Sequence, residues 1–319
     1  MVRKHTRRAA KAAFAVSFGV ALLLGLAACG GGSSGGNNTT TTGSATGSKP
    51  TIVLGSKNFP EETLLGQLYG QALKVKGFKV VYKPSIGSSE LIDVAIKSGK
   101  INFYPDYIGI VALDLAKMKS PPPTAQATYD AANTYEEKSG LTLLKMTPFA
   151  DVDTFTVLTK TAHNLHLTKI SDLSNVKSFS YGGYPECQTR ITCLLGLKNI
   201  YGLKQVTFKP LSTISVYTLL DNGTVTGGDG FSTDPQQLQT KKYTALVDNK
   251  HIFGFQNVAP VVSKKLLTGP NGTLLVTTAN DVSAKLTLNA MQQMNKAVVV
   301  DKESPALVAK KFLQANGLE

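Results

Sequence analysis

Four histidines and three cysteines are the residues of this chain best suited to metal, redox or nucleophilic chemistry, and their spacing supports little of it. His5 lies at the N-terminus and His251 stands alone. His163 and His166 are three apart, but the run Thr-Ala-His-Asn-Leu-His-Leu offers no Asp, Glu or Cys to complete a metal site. Gly99-Lys100 lacks the upstream glycine of a phosphate loop, and Gly227-Gly228-Asp229-Gly230 fits no nucleotide fingerprint. Cys187 and Cys193 have no base suggested beside them, so a catalytic thiol is disfavoured. A hydrolase of envelope material would need a nucleophile and base that the sequence does not display. The reading is therefore of a non-enzyme, with no cofactor, no metal and no ATPase activity of its own.

The N-terminus decides the compartment. Arg3, Lys4, Arg7, Arg8 and Lys11 precede an uncharged run, 12–28, that closes on Leu26-Ala27-Ala28-Cys29. This predicts a signal peptide over 1–28, since a spanning helix needs about 20 apolar residues. Leu-Ala-Ala-Cys resembles the lipobox of bacterial lipoproteins, which implies that Cys29 becomes the first mature residue and carries a lipid anchor in the membrane. Arg7-Arg8 leaves the export route open. From Gly30 the chain is Gly, Ser, Asn and Thr with one Ala, so 29–49 reads as the lipidated cysteine plus a disordered tether reaching about 25 Å on average. In an exported chain a Cys187–Cys193 disulfide is the first expectation, contributing about 2 kcal/mol through loop closure. Five positive charges lie within 1–28, so the formal +13 falls to +8 on processing. The remaining lysines form separated pairs rather than a patch, and nucleic acid is the wrong partner outside the cytoplasm.

The folded part alternates strand and helix signals. Residues 51–55 read as a buried strand; Pro60, Glu61 and Glu62 open a helix stopped by Gly77; 79–83 is a strand. Ser88 predicts a cap for a helix with Leu91, Ile92, Ala95 and Ile96 inward, ended by Gly99, and 101–104 is a third strand. Strands at 179–181 and 206–208, with helices near 194–201 and 214–220, repeat the pattern. Helices over 286–297 and 305–315 should return to the first lobe. The fold class is α/β, with parallel sheets covered on both faces in two lobes.

Two runs carry a family resemblance: Gly55-Ser56-Lys57-Asn58-Phe59-Pro60-Glu61-Glu62, similar to a usual form Gly-Ser-Lys-x-Phe-Thr-Glu-Gln, and Asn102-Phe103-Tyr104-Pro105-Asp106-Tyr107-Ile108-Gly109, which from Phe103 is similar to Leu-Tyr-Pro-Glu-Tyr-Thr-Gly-Thr. With Asp153-Thr154-Phe155, Pro185-Glu186 to Arg190, Phe231-Ser232-Thr233-Asp234 and 253–262, the chain resembles the substrate-binding lipoproteins of quaternary-amine (glycine betaine, choline, osmoprotectant) ABC importers. The resemblance implies a two-lobed type II periplasmic-binding-protein fold with a ligand cleft between lobes. Residues 50–152 and 256–319 would form lobe 1 and 153–255 lobe 2. It implies an extracytoplasmic receptor that hands a small solute to an ABC permease driven by a separate ATPase.

A trimethylammonium group has no N–H to donate, so such a site holds it by charge and by aromatic faces. Carried over by motif, Tyr107, Phe155, Phe231 and Phe255 fall on cage positions. Lys57 and Arg190 fall on polar positions near the ligand's anionic end, and Asp153 lies in the same motif as Phe155. Three of the four cage rings are Phe where the family has Tyr, Ile110 replaces a threonine, and Asp106 a glutamate. A glycine betaine-like ligand is implied; the Phe-rich cage also admits an uncharged aromatic or polyol ligand.

Overall fold

The computed structural model describes residues 48–211 and 215–319; the signal segment, Cys29 and nearly all of the tether lie outside the described residues. The chain opens with β1 (Ile52–Gly55), α1 (Pro60–Val75), β2 (Val80–Lys83), α2 (Ser89–Lys97) and β3 (Phe103–Tyr107). Proline at the first position of α1 sacrifices only an N–H that the helix leaves unpaired anyway. After a π-helical turn at Ile110–Leu115 come α3 (Ala125–Glu137) and β4 (Leu141–Leu143).

The chain then builds a second sheet from β5 (Asp153–Leu158), α4 (Thr159–Asn164), β6 (Phe179–Gly183), α5 (Leu194–Asn199), β7 (Val206–Pro210), α6 (Val216–Asp221), β8 (Gly227–Phe231) and β9 (Tyr243–Leu246). It returns through β10 (Val258–Ser263) and ends in α7 (Gly269–Lys285), α8 (Leu288–Val299) and α9 (Pro305–Ala315).

The two sheets have the same plan. Their strand orders are β2-β1-β3-β10-β4 and β7-β6-β8-β5-β9. In each, the fourth strand runs antiparallel to both neighbours, which corrects the expectation of purely parallel sheets. The reason is connectivity: β5 and β10 are the first strands after each crossing from the other lobe. The crossings themselves meet in an antiparallel bridge between Ala150 and Asn257.

The C-terminal helices pack on α1, where the buried Tyr69 hydroxyl lies 2.9 Å from Ser283 Oγ. Leu64, Leu65 and Leu68 on α1 and Leu275, Ala279 and Val282 on α7 share that core; fully burying one such leucine contributes about 1.5–3 kcal/mol. Sequence patterning overlooks α7, whose first turn contains Gly-Pro-Asn-Gly. Gly272 is required there, because a Cβ would stand 2.2 Å from the Leu267 carbonyl carbon. In α2, Leu91 faces solvent rather than the core, and the Ser88 hydroxyl donates to Glu90 instead of capping the helix. Among the described residues no helix is long and apolar enough to cross a membrane.

Candidate ligand-binding site

A cleft of about 700 Å³, counted to its open mouth, lies between the two sheets. Its first wall comes from the loop after β1 and the end of β3. The Phe59 and Tyr107 rings stack there, 6.2 Å apart and inclined by 20°. The Tyr107 hydroxyl donates to Glu61 Oε1 at 2.8 Å, and Asn295 Nδ2 donates to the other oxygen of that carboxylate at 2.6 Å. Burial, then the charge of Glu61, holds the Tyr107 hydroxyl well above its ordinary range. Lys57 is buried, with its ammonium 2.6 Å from Asp106 Oδ1, 3.3 Å from Ser89 Oγ and 3.6 Å from Glu62 Oε1. Burial pushes Glu62 up to about 8 against the pull of Lys57.

The second wall is the edge of the β5–β8 pair. Asp153 stands opposite Phe231 in the register, and Phe155 opposite Asp229. Tyr184 leans on Phe231, centroids 6.4 Å apart at 34°, and both rings line the cleft. Asp229 accepts from the buried Tyr181 hydroxyl at 3.0 Å, and burial raises its carboxyl to about 7. Asp151, on the first crossing, accepts from Thr233 Oγ1 at 2.7 Å. Cys187 and Cys193 are disulfide-bonded, Cα atoms 5.2 Å apart, and the bridge lines the cleft. The sulfurs lie within 4.8 Å of an Asp229 oxygen, but each is bonded to the other rather than free to ligate.

The disulfide loop contains Arg190 and Thr192, and both reach across the cleft. Arg190 Nη2 donates to the two oxygens of Glu90 at 3.2 and 3.3 Å, and its Nε lies 3.6 Å from Asp114 Oδ2. The Thr192 hydroxyl donates to the same Asp114 oxygen at 3.2 Å. Burial opposes the charge of Glu90, but Arg190 and the Ser88 hydroxyl outweigh it and bring that carboxyl down to about 2. Gln292, on α8, adds a bond to the Ser232 carbonyl at 2.9 Å.

Tyr107, Phe231, Arg190, Lys57 and Asp153 thus meet in one cleft. Phe155, expected in the cage, does not line the cleft. It shares a sheet face with Asp153 but lies one pleat deeper, stacked on Tyr181 at 4.7 Å and pressed against Gly227, where a Cβ would sit 2.2 Å from its ring. Phe255 does not line the cleft either: it is 37 % exposed, and its neighbour Gln256 lines the cleft instead. The aromatic walls are therefore Phe59 with Tyr107 and Tyr184 with Phe231. Phe59 lies inside the Gly-Ser-Lys-x-Phe run and Tyr184 directly before Pro185, so each carried a signal.

Comparison with known proteins gives a consistent result. Residues 50–315 match the family model described as the substrate binding domain of the ABC-type glycine betaine transport system. A glycine-betaine-binding protein of Pseudomonas aeruginosa is 27% identical over 280 residues, covering 84% of this chain and 88% of the relative. A carnitine transport binding protein of Listeria monocytogenes is 24% identical over 276 residues, 84% and 88% of the two chains. The crystal structure of a glycine betaine/carnitine/choline ABC transporter component superposes with TM-score 0.68 at 23% identity, covering 84% of this chain and 99% of the other. That likeness shows the two-lobed periplasmic-binding fold.

Proposed function

The chain belongs to the family of substrate-binding domains of ABC-type glycine betaine transport systems, and from that premise we propose that it captures a quaternary-amine compatible solute in the cleft between its lobes. Members of this family bind small solutes outside the cytoplasm for an ABC permease and are not enzymes. The observation that supports the ligand class is the pairing of aromatic walls, Phe59 with Tyr107 and Tyr184 with Phe231, around carboxylates in one cleft. Aromatic faces and carboxylates are the groups that attract a cation having no N–H. Residues 50–152 with 256–319 serve as one lobe and 153–255 as the other. Cys29 carries a lipid anchor, the residues after it act as a tether, and a separate ATPase drives the permease.

Titration calorimetry of the wild-type chain with glycine betaine, choline, carnitine, a polyol and a neutral aromatic compound tests the ligand class. Binding of at least one quaternary amine at submillimolar concentration, without binding of the uncharged compounds, is the expected result. Failure of every quaternary amine at millimolar concentration, with binding of an uncharged compound, would overturn it.

A further inference from the structure

The charges around the cleft do not balance in the way a zwitterion needs. A ligand carboxylate taken out of water requires a cationic partner, and the cleft has two candidates, Lys57 and Arg190. Both are already engaged from behind. Lys57 is held by Asp106 at 2.6 Å, with Ser89 and Glu62 taking its other directions. Arg190 is held by Glu90 and Asp114, neither of which lines the cleft.

The lining acids are in the opposite condition. Asp151, Asp153, Glu186 and Asp229 face the cleft. Among the described residues none of them makes an ion pair within 4.0 Å of a lysine or arginine nitrogen; Asp151 and Asp229 accept only from neutral hydroxyls and a backbone N–H. Arg190 is the cation whose field reaches Asp153 and Asp229, yet it is shared with two further carboxylates. Burial, and then the charge of Asp229, pushes the Asp153 carboxyl well above the usual carboxylate range against the pull of Arg190, so without a further cation the pair is held toward its protonated form.

We infer that the site selects a quaternary ammonium of net positive charge over a zwitterion, and that Asp153 and Asp229 set this preference by supplying the missing counter-charge. This rests on the quaternary-amine reading above and narrows it. A cation without a carboxylate seated beside Asp153 and Asp229 favours their ionised form and pairs with it, the displaced proton leaving to solvent. A betaine brings its own carboxylate into a wall whose cations are spent, where like-charge repulsion and an unpaired anion both count against it. A hydroxyl at the far end of the ligand is tolerated, because it can donate to a carboxylate.

The test is calorimetry of the full chain in detergent at one pH, with choline and acetylcholine as cations and glycine betaine and carnitine as zwitterions. Choline should bind at least tenfold more tightly than glycine betaine. Asp153→Asn should weaken choline at least tenfold and close that gap, and Asp229→Asn, read on the same pair of ligands, guards against a misfolded first variant. Glycine betaine binding as tightly as choline to the wild type would overturn the inference while leaving the quaternary-amine reading intact. Failure of all four compounds would overturn both.

Discussion

The Lys57 ammonium lies 4.2 Å from the centroid of the Tyr107 ring, so a ring facing the ligand cleft already carries one of the protein's own cations. The same ammonium is 2.6 Å from Asp106 and 5.6 Å from the Phe59 centroid. Lys57 therefore acts beneath the aromatic wall, fixing Tyr107 and neutralising a buried carboxylate.

Lys57→Met should consequently behave as a stability variant. It leaves Asp106 buried without its partner, a change that costs about 3–5 kcal/mol. Urea unfolding should show that loss. A stability equal to wild type, with loss of zwitterion binding alone, would return Lys57 to the role of an anion receptor.

The ring assignments make a paired test. Phe59→Leu and Phe231→Leu should weaken a quaternary ammonium ligand by about two- to thirtyfold, the range of a cation–π contact worth about 0.5–2 kcal/mol. Phe155→Leu should leave affinity unchanged but lower stability by about 1–3 kcal/mol, because its ring fills lobe 2 against Tyr181. Phe255→Leu should do neither. Calorimetry and urea melts on the four variants separate the roles, and weakened binding by Phe155→Leu at full stability would restore that residue to the cage.

Periodicity made most strands and helices legible, and motif order placed Tyr107, Phe231 and Arg190 at the cleft. What sequence could not show was depth and long-range partnership. Asp153 and Phe155 share a face, and only the close approach to Gly227 reveals that the second ring is buried. Glu90 and Arg190 are 100 residues apart, and their bond exists only because two lobes meet. The glycines around Asp229 look like a failed nucleotide loop until Phe155 and Val216 are seen packed on their backbone.

The disulfide loop presents Arg190 and Thr192 to the opposite lobe, so it should help to hold the two lobes together. Replacing both Cys187 and Cys193 by Ser should cost about 2 kcal/mol of stability. It should also weaken ligand binding beyond that produced by a remote variant of equal stability. Arg190→Ala should weaken binding and leave a larger ligand-free radius of gyration by small-angle scattering. An unchanged radius and affinity would show that the loop does not hold the lobes together.

Cys29→Ser should abolish lipidation and normal processing. Radiolabelled palmitate incorporation and membrane fractionation read this directly. A variant as fully processed and as membrane-bound as wild type would refute the lipobox.

Glu136 supplies a pH signature independent of the ligand. It is fully buried on α3, and neither carboxyl oxygen has a hydrogen-bond partner among the described residues. Burial, then the charge of Asp93, pushes its carboxyl up to about 8; Asp106 adds to the rise and Lys97 opposes it. The native protein thus keeps a proton that the unfolded chain releases near its ordinary value of 4.5. The stability tied to that proton is fully present below the unfolded value and is lost as pH rises through about 8, with a slope of about 1.4 kcal/mol per pH unit in between. Glu62, also raised to about 8, adds a second slope of the same sign. Asp229, Asp153 and other buried carboxyls raised by burial add slopes of the same sign, so Glu136→Gln, neutral at every pH, should match wild type near pH 4.5, exceed it at pH 8 and remove only its own share of the decline. A Glu136→Gln variant less stable than wild type at pH 8 would show that the carboxylate is ionised and paired in the native state.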